Sequence, residues 1–218
     1  MQAIEPPKEE KKESEAMTEP EINNLLNVLK EDALMFTFIM MDSLTGMKRG
    51  EILGLEWSDL NFKNGIIKVK KSLVTIKGGS THKNRTKNWS SYREIKMSDT
   101  LIKILKKYKK EQNKSKLYFG EKYNQKKDFI FCKPNGYRYN PNTFYKKFKK
   151  YIKKAGLSKK YTIHTIRHTF ATLNLKNGVQ AKIVQEMLGH STITTTLDTY
   201  SHVDFNMQKK HWINLTKQ

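Results

Sequence analysis

Apolar positions follow a helical period over most of this chain and an alternating one in a short middle stretch. From Thr18, the residues Ile22, Leu25, Leu26 and Leu29 recur at three- and four-residue steps, which predicts an amphipathic helix. Thr18 is placed to cap it, with Glu19, Pro20 and Glu21 in the first turn, where acids and proline are favoured. After the cap residue Asp32 comes ALMFTFIMMDSL, apolar nearly all round. Such a helix is buried, so it is expected at the centre of the domain. At about fifteen residues it is too short to cross a bilayer. Thr45-Gly46 breaks it, and a new helix carries Glu51, Ile52, Leu53 and Leu55.

The period then changes. Asn64-Gly65 is a hairpin signal, followed by strands at Ile66–Val69, Ser72–Ile76 and Tyr92–Met97, with a long basic loop from Lys77 to Ser90. Helical spacing returns after the cap Ser98-Asp99, over Thr100–Lys110, with Leu101, Ile104, Leu105 and Tyr108 inward. Asp128–Cys132 reads as a short strand ending at the turn Pro134-Asn135-Gly136. Asn142 is expected to cap the next helix, with Phe144, Phe148, Tyr151 and Ile152 inward and Gly156 at its end. Its outer face is lysine, including Lys146 and Lys150: a run of this kind is commonly a solvated face, and at this net charge it is equally a candidate to lie near phosphate. Thr162 precedes a helix whose inward stripe is Ile163, Ile166, Phe170 and Leu173, and a last short helix ends at Gly189.

Charge narrows the class of partner. The 218 residues suffice for one sizeable core or two small domains, and 42 basic against 21 acidic residues give a net charge of +21. An excess of that size favours a polyanion, with DNA or RNA first. A membrane surface is the rival, but no basic stretch has the clean apolar face of an interfacial helix. Only five of the basic residues are arginine: Arg49, Arg85, Arg93, Arg138 and Arg167. In a chain that uses lysine by default, an arginine marks a place that needs a planar fork. Cys132 is the single cysteine, so there is no internal disulfide and no cysteine metal site. Its neighbours FIFC point to a buried thiol. With no signal-peptide pattern, the expected setting is a reducing cytoplasm. Residues 1–16, rich in Pro, Glu and Lys, read as a linker or disordered leader.

The chemistry gathers near the end. His164, Arg167 and His168 sit three and four apart, so a helix presents them on one face. Leu188-Gly189-His190 follows, and Tyr200 comes ten positions later. Taken singly, a histidine or arginine on a helix is more often structural. Together, a guanidinium, two imidazoles and a phenol suit phosphoryl transfer: arginine forks onto phosphate, histidine moves protons near neutral pH, and tyrosine can be a covalent nucleophile. A zinc site at His164 and His190 is the metal alternative, but no Cys, Asp or Glu joins them at ligand spacing.

HTIRHTFAT followed by LGHSTITTTLDTYSHV resembles the carboxy-terminal boxes of the tyrosine recombinases, the phage integrase family, and is most similar to integrases of Gram-positive phages and conjugative transposons. The resemblance implies a mainly α fold with a small three-stranded antiparallel sheet (α+β), and it divides the chain into a leader (1–16), a catalytic domain (17–203) and a tail (204–218) that packs on a neighbouring protomer. It makes Tyr200 the nucleophile, Arg167 a phosphate clamp, His164 an acid/base or phosphate donor, His190 a phosphate donor and His168 a supporting residue. TGMKRGE resembles the family's first arginine box, T-G-x-R-x-x-E, with Lys48 at the arginine position and Glu51 bracing it. Lysine keeps the charge there but loses the fork, which weakens cleavage. TKNWSSYR resembles the K-T-x-x-S-x-R turn, making Lys87 the catalytic lysine, with Ser91 and Arg93, and also Arg49, among the DNA contacts. The implied activity is site-specific integration or excision of a mobile element through a 3′-phosphotyrosine, without metal, ATP or other cofactor. The implied partners are double-stranded attachment sites, a homotetramer on DNA, and an excisionase or host architectural factor, in a bacterial cytoplasm at the nucleoid. The alternatives are a type IB-like topoisomerase, or a cleavage-impaired DNA-binding form because of Lys48.

Overall fold

In a computed structural model of the chain, residues 16–76, 79–84 and 92–197 are described, without the side chains of 71–76 and 79–84. Helix α1 (Glu19–Leu29) starts at the expected cap. Thr18 Oγ1 accepts from the Glu21 N–H, and Glu21 returns the bond to the Thr18 N–H at 2.8 Å. Helix α2 (Ala33–Thr45) is the axis of the domain, packed against α1, α3 (Arg49–Gly54), α4 (Asp99–Phe119) and α6 (Ile163–Lys176). The all-round apolarity of its sequence has this cause. Met35, Phe38, Ile39 and Met41 are fully buried, and the Phe38 ring meets Phe131 edge-on at 5.3 Å and Phe144 at 4.5 Å. Burial of each such side chain stabilises by roughly 1.5–3 kcal/mol.

Gly46 ends α2 in the left-handed region (φ 61°). A Cβ there would run into the Phe170 ring of α6. A left-handed turn under an aromatic ring needs glycine on both counts. This turn sets Lys48, the N-cap of α3, close to α6.

The sheet is antiparallel in the order β1 (Leu60–Asn61), β2 (Ile66–Val69), β5 (Arg93–Lys96). Ile67 pairs with Leu60 on one side and Ile95 on the other. Asn64-Gly65 makes the turn, with Gly65 at φ 65°. The sheet has three strands as expected, but with one different member. The stretch expected as its second strand is β3 (Lys71–Ile76), which forms a separate two-stranded ribbon with β4 (Gly79–Asn84) running beside α3. β4, GSTHKN, was expected inside the basic loop. It has no apolar alternation, and its strand character comes from pairing with β3.

Three further boundaries differ from the sequence reading. Helix α4 runs to Phe119, nine residues beyond Lys110, because its lysine-rich second half still presents Gln112 to the interior. Asp128–Cys132 is not a strand but a pair of isolated bridges, Glu56 with Phe129 and Cys132 with Arg138. Cys132 is buried and free, as expected. Helix α5 (Pro141–Lys154) is capped by Asn140 rather than Asn142, since Pro141 takes the first helical position. Part of its lysine face serves the fold: Lys147 pairs with Asp32 at 2.7 Å, Lys154 with Glu31 at 2.9 Å, and Lys149 donates to the Tyr161 carbonyl at 2.9 Å. Lys146 and Lys150 are exposed. Helix α6 and α7 (Ala181–Leu188) close the domain around a small satellite core of Phe170, Ala171, Val184 and Leu188. No helix among the described residues is long and apolar enough to cross a membrane.

Candidate active site

The site lies where the start of α3, the first turns of α6 and the end of α7 meet. Thr162 caps α6, which fixes the face that carries His164, Arg167 and His168. The face is shared but not the depth. His164 is exposed, His168 is half-buried, and Arg167 is buried with 7% of its surface exposed. Arg167 reaches inward to two carbonyls, donating to Gly46 at the end of α2 and to Leu188 at the end of α7 (2.8 Å). Helix-terminal carbonyls have no partner within their own helix, and their partial negative charge favours a cation.

His190 follows the left-handed C-cap Gly189 (φ 64°). Its N–H donates to the Gln185 carbonyl at 3.1 Å, and Gln185 Nε2 donates back to the His190 carbonyl at 2.9 Å. The ring is fixed by a 2.9 Å hydrogen bond between Nδ1 and the Oγ1 of the fully buried Thr196. That bond occupies Nδ1 and leaves Nε2 to address a ligand.

Electrostatics join these groups into one site. Burial first, and then the charges of Arg167, Lys48 and Arg93, push His190 down to about 4. Although the residue as a whole is exposed, partial desolvation of its ring, then Arg49, Arg167 and Lys48, lower His164 as well. Both imidazoles therefore lie within electrostatic reach of Lys48 and Arg167, and Arg49 acts on His164 as well. Both rings are neutral near pH 7, available as hydrogen-bond donors and proton carriers beside fixed cations. The arrangement suits an oxyanion or a phosphate.

Two acids, Glu51 and Asp42, lie beside it. Burial would raise Glu51, but hydrogen bonds and charge from Arg93, then the Lys48 N–H and charge, hold it below the usual carboxylate range. Glu51 was expected to brace the side chain of position 48. It feels the charge of Lys48, accepts the backbone N–H of that residue at 2.9 Å, and also receives the fork of Arg93 at 3.2 and 2.9 Å. Arg93 differs from expectation. It was read as a DNA contact, yet its side chain is 10% exposed, and its Nε donates to the Met187 carbonyl at 3.0 Å. Asp42, which the sequence reading passed over, is fully buried under the site; burial drives its carboxyl well above the usual range, against the pull of Arg167. An acid in an otherwise apolar helix was the signal for it. Gln185, Thr196 and the Met187 and Leu188 carbonyls were also missed, and nothing in their spacing marks them.

Lys87, Ser91 and Tyr200 lie outside the described residues, as do the tail 204–218 and all of the leader 1–16 except Ala16. A cleft of about 610 Å³ opens beside the site between β5 and α7, lined by Arg93, Gly189 and His190 among others. A larger one, about 670 Å³, is lined by Lys126, Lys127, Lys133 and Arg138 and shares no residue with it.

Residues 15–207 match the phage integrase family. A XerC-like tyrosine recombinase of Caldanaerobacter subterraneus is 34% identical over 203 residues, which cover 88% of this chain and 51% of that protein. The integrase of Staphylococcus phage L54a is 29% identical over 174 residues, 79% of this chain and 49% of that one. The chain thus spans about half the length of these relatives. Among solved structures, the Tn1549 transposon integrase in complex with transposon right end DNA is similar with a TM-score of 0.78 and 26% identity, over 93% of this chain and 66% of that one. XerA recombinase is similar with a TM-score of 0.71 and 25% identity, over 90% and 65%.

Proposed function

The chain belongs to the phage integrase family, the tyrosine recombinases, and from that premise we propose that it cuts and rejoins duplex DNA at specific sites to integrate or excise a mobile element. The observation that supports this reading is that Arg167 ties the end of α2 to the end of α7 beside His190, and that both His164 and His190 feel the charges of Lys48 and Arg167. The Tn1549 integrase, similar over most of this chain, is solved with transposon DNA, which supports duplex attachment sites as the substrate.

In the proposed reaction the Tyr200 oxygen attacks a DNA phosphorus, forming a 3′-phosphotyrosine and breaking the bond to the 5′-oxygen. That oxygen leaves with a proton from Lys87. The free 5′-hydroxyl of a partner strand then attacks the phosphotyrosine, re-forming a phosphodiester and releasing the tyrosine. Arg167 and Lys48 stabilise the charge on the pentavalent phosphorus, His190 donates to a phosphate oxygen through Nε2, and His164 donates or relays a proton. The phosphodiester energy is kept in the phosphotyrosine, so the step consumes neither ATP nor another cofactor. Residues 17–203 form the catalytic domain in this reading, 1–16 a linker and 204–218 a tail that docks on a neighbouring protomer. The active assembly is a tetramer on DNA at the nucleoid, joined by an excisionase or host architectural factor. Lys146 and Lys150, both exposed, the half-buried Arg49, and Ser91 contribute phosphate contacts.

A duplex with a nick near the cut site tests the reading. Cleavage traps the enzyme as a covalent adduct that survives denaturing electrophoresis. The chain forms the adduct slowly, Lys48→Arg forms it faster because the fork is restored, and Tyr200→Phe forms none. Absence of adduct in both the chain and Lys48→Arg overturns the assignment of the nucleophile. Two-site recombination against relaxation of a supercoiled circle separates a recombinase from a topoisomerase.

A further inference from the structure

Beneath the site, hydrogen bonds form a nearly closed circuit through four elements. It starts at Lys48, whose N–H donates to Glu51. Glu51 holds the two terminal nitrogens of Arg93, and Arg93 Nε donates to the Met187 carbonyl. The next carbonyl, Leu188, accepts from Arg167, which also donates to Gly46, two residues before Lys48. Two guanidiniums from distant parts of the chain therefore grip consecutive carbonyls at the end of α7. The residue between these grips and His190 is Gly189, where a Cβ would stand 2.7 Å from Arg93 Nη1. Arg93 lies directly against the turn that presents His190.

We propose that Arg93 is a positioning residue, whose fork joins Glu51 to the Met187 carbonyl and so sets the Lys48 corner and the His190 turn at the spacing at which both address one phosphate. This rests on the reading of the site as a phosphodiester site. Stability alone is a weak reason to keep such a group, because a buried ion pair is often no more stabilising than apolar residues of the same volume. Geometry is the stronger reason. Three donors of one rigid plane reach two elements at once, and a lysine, a point charge on a flexible stem, cannot reproduce that span. Arg93 also opens β5, the strand that follows the segment carrying Lys87, so the same fork references that strand to α7.

Arg93→Lys is the discriminating variant, since it keeps the charge and loses the fork. On the nicked duplex at saturating protein, the single-turnover rate of adduct formation falls about 100-fold, as expected for a displacement near 1 Å, while affinity for intact duplex stays within about threefold. An unchanged rate overturns the proposal. So does a rate that falls only in step with affinity and with the folded fraction, which is what a purely structural role gives. A second readout needs neither DNA nor cleavage: NMR titration of the His190 ring in the free protein. The groups that act on this ring are Arg167, Lys48 and Arg93. Because Arg93→Lys retains its charge, a change reports movement of the turn. The expected change is a rise from about 4 toward the ordinary histidine value as the turn opens to water. Unchanged shifts and titration overturn the positioning role. If the parent chain forms no adduct, the proposed reaction fails, and the titration still decides the role of Arg93.

Discussion

Asp42 lies close enough to Arg167 to feel its charge, yet neither carboxylate oxygen of Asp42 has a hydrogen-bond partner among the described residues. Arg167 gives its bonds to the Gly46 and Leu188 carbonyls instead. With burial as the first cause, the Asp42 carboxyl stays protonated well above the usual range, and the repulsion of Glu51 adds to this. A neutral acid at this position contributes no counter-charge to Arg167.

The sign of the pH effect follows. A group whose folded value is raised contributes stability that is full below its unfolded value and is lost as pH rises toward the folded one. Asp42 therefore weakens the fold as pH climbs from about 4. Asp42→Asn is expected to flatten this slope and to stabilise the protein by about 1 kcal/mol or more at pH 8, measured by urea unfolding from pH 4 to 8. An unaltered slope would mean that the carboxyl is ionised.

Glu51 behaves in the opposite way. Its folded value is lowered, so its contribution is present above its unfolded value and is lost as pH falls through the folded one. Glu51→Gln leaves Arg93 buried without a counter-charge, and the expected cost is about 3–5 kcal/mol at pH 7. Calorimetry or denaturant unfolding checks this. A loss under 1 kcal/mol would show that the pair is solvated in solution.

His190 adds a second acid-side dependence. Its folded value of about 4 lies below the ordinary histidine value, so stability falls as pH drops from about 6.5 toward 4, where the unfolded chain takes the proton and the folded one does not. His190→Gln removes that part of the slope. In the parent chain the adduct rate shows no inflection from His190 near pH 6.5, because the ring is already neutral there. An inflection that vanishes in His190→Gln contradicts the burial described above.

Arg167 holds two carbonyls and, in the proposed reaction, phosphate as well. Arg167→Lys is expected to lower the single-turnover rate by about 10²–10³-fold, the scale for losing one preorganised donor, and to destabilise the end of α7, read by faster amide exchange at Gly189 and His190. A full rate with altered exchange would confine Arg167 to structure.

How much of this was legible varies by residue. His164 and Arg167 could be set on one face from spacing alone, because helical periodicity is local. That one is exposed and the other buried depends on α2 and α7, far away in sequence. Glu51 was noticed, but its main partner is Arg93, 42 positions on, and no periodicity reports a pairing that the sheet creates. β4 was missed because its residues lack the alternation that marks a strand. Asn142 was expected as a cap, and Pro141, which favours the first helical position, was the signal that pointed to Asn140 instead. Asp42 was visible as an acid in an apolar helix, but its burial depends on contacts with α3 and α6 that helical spacing does not report.

The grip on the end of α7 has a consequence for how such a domain can change over generations. Since Arg93 and Arg167 hold the Met187 and Leu188 carbonyls, the height of His190 is referenced to the last turn of α7 and not to its first. Insertions or deletions before Ala181 therefore leave the histidine in register, while a single residue added between Leu188 and His190 unhooks it. The two residues behind α7 have no such latitude.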